Sequence, residues 1–360
     1  MSDYYFMSIA LKLAANALGN VAPNPAVGCV IVKNNAVIAE GCTGVGGRPH
    51  AEVVALENAQ NLACGATMYV TLEPCCHYGV TGPCTSEIIK SGIKRVVVAT
   101  TDPDERVSGK GIEILKESGI EITHGIMQEE AEKLNVGFFL TKKSHRPFIT
   151  CKVASTLDGK IATFTNESKW ITSEDTRNWV HKLRTKYDAI MIGSNTLVQD
   201  DPLLTCRLPG LEDKSPIRII IDGQAQLRKE HNIAKTADKV KTWVITNSEI
   251  VEEIKNINYL AVNSNKNGKV CLKDMMQKLI SEIGITRVLV EGGGILITEL
   301  LKHKLIDRLV ICRSGKILGN DSIPFIGNLG IQSINECYKF KKAEVINLID
   351  DIVEIWDHEY

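Results

Sequence analysis

The chain has 360 residues, 44% of them hydrophobic and 24% charged, with a formal net charge of -1. That length exceeds what one hydrophobic core usually serves, so two domains are expected, and the balanced charge, without a long Lys/Arg run, argues against a nucleic-acid partner. No apolar run approaches the roughly 20 residues needed to cross a bilayer, and the N-terminus lacks the basic-then-apolar layout of a signal peptide, which together point to the cytoplasm and away from a membrane.

Apolar residues recur at helical spacing over 4–18, until Gly19-Asn20 ends the pattern. Pro23-Asn24-Pro25 forces an extended, turn-rich segment. Two β-like runs, 27–32 and 36–40, are joined by Lys33-Asn34-Asn35 as a hairpin. His50 follows a Gly-rich loop and opens a helix expected over 51–63. A strand over 68–72 runs into Pro74-Cys75, and a helix over 85–90 follows Cys84. A strand at 95–99, a helix at 111–118 and a strand at 120–123 complete this half.

His50, Cys75 and Cys84 offer donors of the softness zinc favours, and zinc that works on a substrate needs about three protein ligands and one open position. Glu52, two residues beyond His50, is placed to move protons without binding metal. Zinc deaminases carry H-x-E followed by P-C-x-x-C. This chain keeps His50-Ala51-Glu52 and Pro74-Cys75 but sets eight residues between Cys75 and Cys84. Each donor lies beside a helix start, where the dipole favours thiolate. A structural zinc would be closed by four protein ligands in paired spacing. No fourth is evident, because Cys76 adjoins Cys75 and should point elsewhere and His77 is equally close. A catalytic zinc is therefore expected, and a zinc-stabilised interaction module is the non-enzyme alternative. The remaining cysteines are scattered and the total of eleven is odd; Cys29, Cys151, Cys271 and Cys312 sit in apolar runs and are expected as buried free thiols.

A polar, basic stretch at 142–147 reads as a linker, dividing the chain into domains 1–145 and 146–360. Beyond it come a strand at 148–154, an Asp158-Gly159 turn, and a helix at 172–184 capped by Thr172 or Ser173. Strands follow at 189–193, 217–222 and 242–246, with a helix at 272–283. A strand at 288–290 then meets Glu291-Gly292-Gly293-Gly294 and a helix at 295–304. Glycines between a strand and a helix can form an anion site or only a tight turn, and the spacing is not that of a Rossmann fingerprint. Arg184 and Arg207 are the best phosphate candidates, since guanidinium pairs with phosphate in bidentate fashion.

The segment T-L-E-P-C-C-H-Y-G-V-T-G-P-C at 71–84 resembles the long zinc loop of the bifunctional riboflavin-biosynthesis deaminase/reductase family, RibD. So do P-N-P-A-V-G-C-V at 23–30 and Asp102-Pro103 with Gly109-Lys110-Gly111. K-V-A-S-T-L-D-G-K-I-A-T at 152–163, S-K-W-I-T-S at 168–173, D-D-P-L-L-T-C-R-L-P at 200–209 and V-E-G-G-G at 290–294 are similar to its reductase domain. The resemblance implies an α/β chain with an N-terminal cytidine-deaminase-like three-layer domain and a C-terminal dihydrofolate-reductase-like domain. It implies zinc and NADPH as cofactors, a small-molecule pyrimidine ribotide as substrate, and leaves a homo-oligomer open. Glu52 would be catalytic. Ala154, Trp170, Thr196, Asp200, Gly293 and Gly294 would contact NADPH; Ser168, Arg184, Leu204, Arg207 and Glu291 would contact the ribose phosphate. Lys152 and Asp200 would lie near the reacting groups. Two departures stand out: Thr43 where many members have His, and Val80 where they have Lys or Arg. Arg48 is the nearby candidate to replace the missing cation. The alternative enzyme is a tRNA or cytidine deaminase fused to an unrelated domain, which would bring a basic surface or a short zinc loop.

Overall fold

A computed structural model describes residues 1–249 and 252–359. The chain divides into two compact units, Met1–His145 and Arg146–Tyr360. In the first, strands β1 (Gly28–Lys33), β2 (Ala36–Cys42), β3 (Thr67–Val70), β4 (Arg95–Val98) and β5 (Glu121–His124) form one sheet in the order β2-β1-β3-β4-β5. β1 is antiparallel to β2 and β3, and the rest pair in parallel. Asn34 and Asn35 close the hairpin with φ of 53° and 60°, the left-handed pair that a two-residue turn between twisted strands prefers.

Side chains alternate across a strand, and here both faces are apolar. Cys29, Ile31, Met68, Val70, Val96 and Val98 meet Ala55, Ile88 and Leu115, from the helices Ala51–Ala59, Cys84–Lys90 and Lys110–Glu117. Val30, Val32, Tyr69 and Val97 face the other way, onto Phe6, Met7 and Ala10 of the helix Asp3–Ala17. The result is three layers. Burying a side chain such as Ile31 or Met68 stabilises by about 1.5–3 kcal/mol.

The second unit holds β6 (Phe148–Ser155), β7 (Lys160–Ala162), β8 (Ala189–Gly193), β9 (Ile217–Ile221), β10 (Thr242–Thr246), β11 (Ile257–Ala261), β12 (Arg287–Val290), β13 (Arg308–Ser314), β14 (Ile323–Pro324), β15 (Phe340–Asn347) and β16 (Asp351–His358). Nine of these make a sheet in the order β11-β10-β9-β8-β12-β6-β13-β16-β15, and β7 pairs with β14 apart from it. β11 through β13 run parallel, while β16 and β15 are antiparallel. Parallel strands covered on both faces read as unbroken apolar runs, and β8 and β12 are buried almost end to end. The carboxyl ends of β8, β12 and β6 lie side by side, where open parallel sheets place their ligands. Arg146, first in this unit, donates both guanidinium arms to buried Asp307 at 2.7 and 2.6 Å.

Some local expectations are corrected. Lys142-Lys143-Ser144 is not linker but the last turn of the helix Val136–Ser144; basic residues suit a helix C-terminus, and Lys142 pairs with Asp104 at 2.8 Å. The helix expected over 51–63 stops at Ala59 and continues as a 3-10 turn, Gln60–Ala63. Cys29, Cys151 and Cys312 are buried, but Cys271 is only half-buried, at the start of the helix Leu272–Lys278. The three glycines at 292–294 have no positive φ. Gly294 serves close approach: a Cβ there would stand 2.7 Å from the Pro324 carbonyl oxygen.

Candidate active sites

In the first unit, His50 ends the loop before the helix Ala51–Ala59, and Cys84 is the first residue of the next helix. Cys75 follows β3 on an irregular segment. The three donor atoms lie within 4.8 Å of one another, the one such cluster among the described residues. His50 Nδ1 is 3.3 Å from Cys84 Sγ and 3.6 Å from Cys75 Sγ. Zinc at its usual bond lengths in a tetrahedral site sets nitrogen and sulfur about 3.5 Å apart, so the donor set fits that metal. The long spacing is taken up by an exposed loop that returns Cys84 beside Cys75, with the Cys84 amide donating to Cys75 Sγ at 3.3 Å. Cys76 turns away towards the Arg106 carbonyl.

A bond from the Cys84 thiol holds Cys75 as thiolate, at about 4, against burial and with help from His50, and the same bond pushes the Cys84 thiol up; zinc binding would release that shared proton and take its place between the sulfurs. Glu52 is buried in the first turn of its helix. Burial, then the Cys75 charge, pushes its carboxyl up to about 7, against the opposing pull of His50. A carboxyl poised there can both take and return protons near neutral pH.

Glu73 anchors the segment from below. Its carboxylate accepts from the amides of Asp102, Gly109, Gly111 and Ile112 at 2.9–3.2 Å, drawing the loop 102–112 against Pro74-Cys75. A Cβ at Gly111 would collide with the Pro74 carbonyl, which is why glycine stands there. No sequence pattern pointed to this role for Glu73.

In the second unit a cavity of about 570 Å³ opens at the carboxyl ends of β8, β12 and β6. Ala154, Trp170, Thr196, Asp200 and Gly293 line it, as do Ser168, Arg184, Leu204, Arg207 and Glu291; Gly294 does not, being packed behind against β14. Gly293 donates its amide to Thr196 Oγ1 at 3.1 Å, and Ser168 reaches Asp200 at 3.4 Å. Trp170 is exposed, with the Arg177 guanidinium 4.5 Å from its ring centre. Glu291 is gripped by Arg184 at 2.7 and 3.0 Å, with Lys152 at 3.7 Å. Burial would raise its pKa, but the two cations outweigh that and hold it at about 2. Arg184 also donates to the Thr205 carbonyl, so its charge is largely spent within the protein. Arg207 has no carboxylate within ion-pair distance among the described residues and stands exposed on the rim. Its amide donates to His181 Nδ1 at 3.3 Å; burial, then Arg184 and Arg207, keeps that imidazole neutral, at about 4.

Arg177 and Asn232 also line the cavity. The signal for Arg177 was its place one and two turns before His181 and Arg184 on the helix Glu174–Arg184, a shared face; nothing local marked Asn232. Among the described residues, no helix is long and apolar enough to cross a membrane.

Residues 1–100 match the cytidine and deoxycytidylate deaminase zinc-binding region, and residues 147–353 match the RibD C-terminal domain. The chain is 44% identical over 351 residues to the riboflavin biosynthesis protein RibD of Aquifex aeolicus, covering 98% of this chain and 97% of that one. Among solved structures, Acinetobacter baumannii RibD superposes with a TM-score of 0.90 at 36% identity, over 99% of each chain. A diaminohydroxyphosphoribosylaminopyrimidine deaminase/5-amino-6-(5-phosphoribosylamino)uracil reductase from Thermotoga maritima does so with a TM-score of 0.88 at 37% identity, over 99% of this chain and 98% of that one. The likeness runs through both units, which sets aside a deaminase fused to an unrelated domain.

Proposed function

The chain belongs to the RibD family of bifunctional riboflavin-biosynthesis enzymes, a deaminase joined to a reductase, and from that premise we propose the substrate, cofactors and residues that act in each half. The first half removes the exocyclic amine of 2,5-diamino-6-(5-phosphoribosylamino)pyrimidin-4(3H)-one as ammonia. The second reduces the ribosyl group of the product to ribityl with NADPH. The observation that carries the first step is the convergence of His50, Cys75 and Cys84 around one point beside a buried, near-neutral Glu52.

His50, Cys75 and Cys84 would hold zinc, which would supply Lewis acidity and lower the pKa of a water towards neutrality. Glu52 takes a proton from the attacking water and delivers it to the ring nitrogen, then carries the proton of the added hydroxyl to the departing amine, so that the carbonyl forms and ammonia leaves. Burial of Glu52 keeps its proton affinity matched to that shuttle.

In the second half a nicotinamide cofactor supplies hydride, and the protein supplies orientation and charge. Ala154, Trp170, Thr196, Asp200 and Gly293 line its side of the cavity, with Gly294 allowing the close packing behind. Trp170 offers an exposed aromatic face, and Gly293 leaves the helix start open to phosphate. Arg207 meets the substrate phosphate, Ser168 and Leu204 flank the ribose, and the Arg184–Glu291 pair fixes the wall they share. The eleven cysteines are free, which suits a reducing cytoplasm. Supplying the diaminopyrimidine ribotide with and without NADPH and identifying the products tests the reading: ammonia and the deaminated ribotide without cofactor, the ribityl compound with it.

A further inference from the structure

We propose that Arg48 is the cation that holds the substrate phosphate in the deaminase site. The inference rests on the deaminase reading above, in which a phosphate monoester must be received near the zinc donors. Arg48 stands two residues before His50 in the loop that leads to the zinc donors. The guanidinium reaches across to the zinc loop. Nη1 donates to Thr81 Oγ1 at 2.7 Å, and Nη2 lies so near Gly79 that a Cβ there would be 3.7 Å away. Arg48 is therefore bonded to Thr81 and lies beside Gly79, the two neighbours of Val80, which is itself 85% exposed.

No carboxylate neutralises Arg48 among the described residues, although it is half-buried. Such a guanidinium, whose side-chain bond to Thr81 is exposed, is open to an arriving anion. The cations nearby are otherwise engaged. Arg106 and Lys142 both pair with Asp104, and Lys110 donates to the Glu105 carbonyl. Thr43 offers nothing either, because it is buried and its hydroxyl accepts from the Val27 amide and donates to the Pro25 carbonyl. Arg48 keeps four of its five N–H donors for a ligand, and the exposed Thr81 hydroxyl beside it adds another group. A planar fork with a neighbouring hydroxyl suits a phosphate monoester.

The test compares ammonia release from the ribotide and from its dephosphorylated nucleoside in wild type, Arg48→Ala, and Arg48→Ala with Val80→Lys. Zinc content and reduction of already deaminated substrate serve as controls. Arg48→Ala should raise KM for the ribotide by roughly ten- to a hundred-fold, the loss of a charged hydrogen-bond partner. The nucleoside KM, kcat, zinc content and reductase rate should stay near wild type. Val80→Lys should restore part of the ribotide preference by bringing a cation back from the loop side. Equal losses on both substrates, loss of zinc, or an unchanged ribotide KM would each overturn the proposal and leave Arg48 as a strut of the loop. Wild type that releases no ammonia from the ribotide would instead overturn the substrate reading itself, and this proposal with it.

Discussion

Replacing Glu291 by Gln tests the charge network behind the second cavity. The carboxylate takes two bonds from Arg184 and neighbours Lys152, with its side chain 10% exposed. An amide can accept from one of those partners, but two cations then share the site without a counter-charge. Removing one member of a buried pair costs about 3–5 kcal/mol. The pKa leads to a similar figure: depression from 4.5 to about 2 corresponds to roughly 3 kcal/mol at about 1.4 kcal/mol per unit. For a domain of this size, each kcal/mol moves the unfolding midpoint by about 2–4 °C, so the transition of the second domain should fall by about 6–20 °C at neutral pH. Because the folded pKa lies below the unfolded one, the contribution is complete above about pH 4.5 and is lost as pH falls towards 2. By about pH 3.5 the gap between wild type and Glu291→Gln should have narrowed by roughly 1 kcal/mol. Calorimetry across that range measures it. A gap below about 1 kcal/mol at neutral pH, or one that does not narrow in acid, refutes an ionised Glu291 between two cations.

Glu52→Gln should keep zinc and lose ammonia release by on the order of 100- to 10,000-fold, the span of general acid–base catalysis, while reduction of deaminated substrate survives; metal analysis beside both assays checks it, and wild-type ammonia release sinks the assignment. Cys84→Ser and Cys75→Ser should each lose zinc and deamination together, since a neutral hydroxyl is a far poorer ligand than thiolate. Cys76→Ser, whose sulfur faces the Arg106 carbonyl, should lose neither, and a zinc-free Cys76→Ser protein would show the donors misassigned. Arg207→Ala should raise the reductase KM for its phosphorylated substrate by roughly ten- to a hundred-fold without weakening NADPH binding; unchanged saturation at fixed NADPH returns Arg207 to an ordinary surface charge.

The zinc donors were legible because their chemistry is local: His50 and Glu52 share one turn, and Cys75 and Cys84 bracket one loop. The apolar runs at 27–32 and 95–99 marked strands, while the three-layer order around them came from the family resemblance carried by the motifs. What failed was where polarity misleads. Lys142 and Lys143 looked like a break, yet a helix tolerates charge in its last turn when Asp104, far away in sequence, receives one of them. β15 carries Lys341, Lys342 and Glu344 as an outer, largely exposed strand, so it lacks the apolar alternation that marks a half-buried one. The pairing of Arg184 with Glu291 spans 107 positions, and no window of sequence reveals it. Arg184 looked like a free phosphate ligand for that reason, and folding assigns it a partner within the protein.

The four amides that converge on Glu73 join two stretches into one cooperative unit. Gly111 and Ile112 occupy the first turn of their helix, where amides have no carbonyl partner within the helix and ordinarily open to solvent with little cost. Here they close on a carboxylate that sits two residues before the metal donor Cys75. Local opening of the 102–112 loop must therefore strip a buried anion of its partners, and that penalty is felt directly at Pro74-Cys75. Slow amide exchange in this loop and retention of metal are then two readings of the same local stability; whatever loosens one shortens the lifetime of the other.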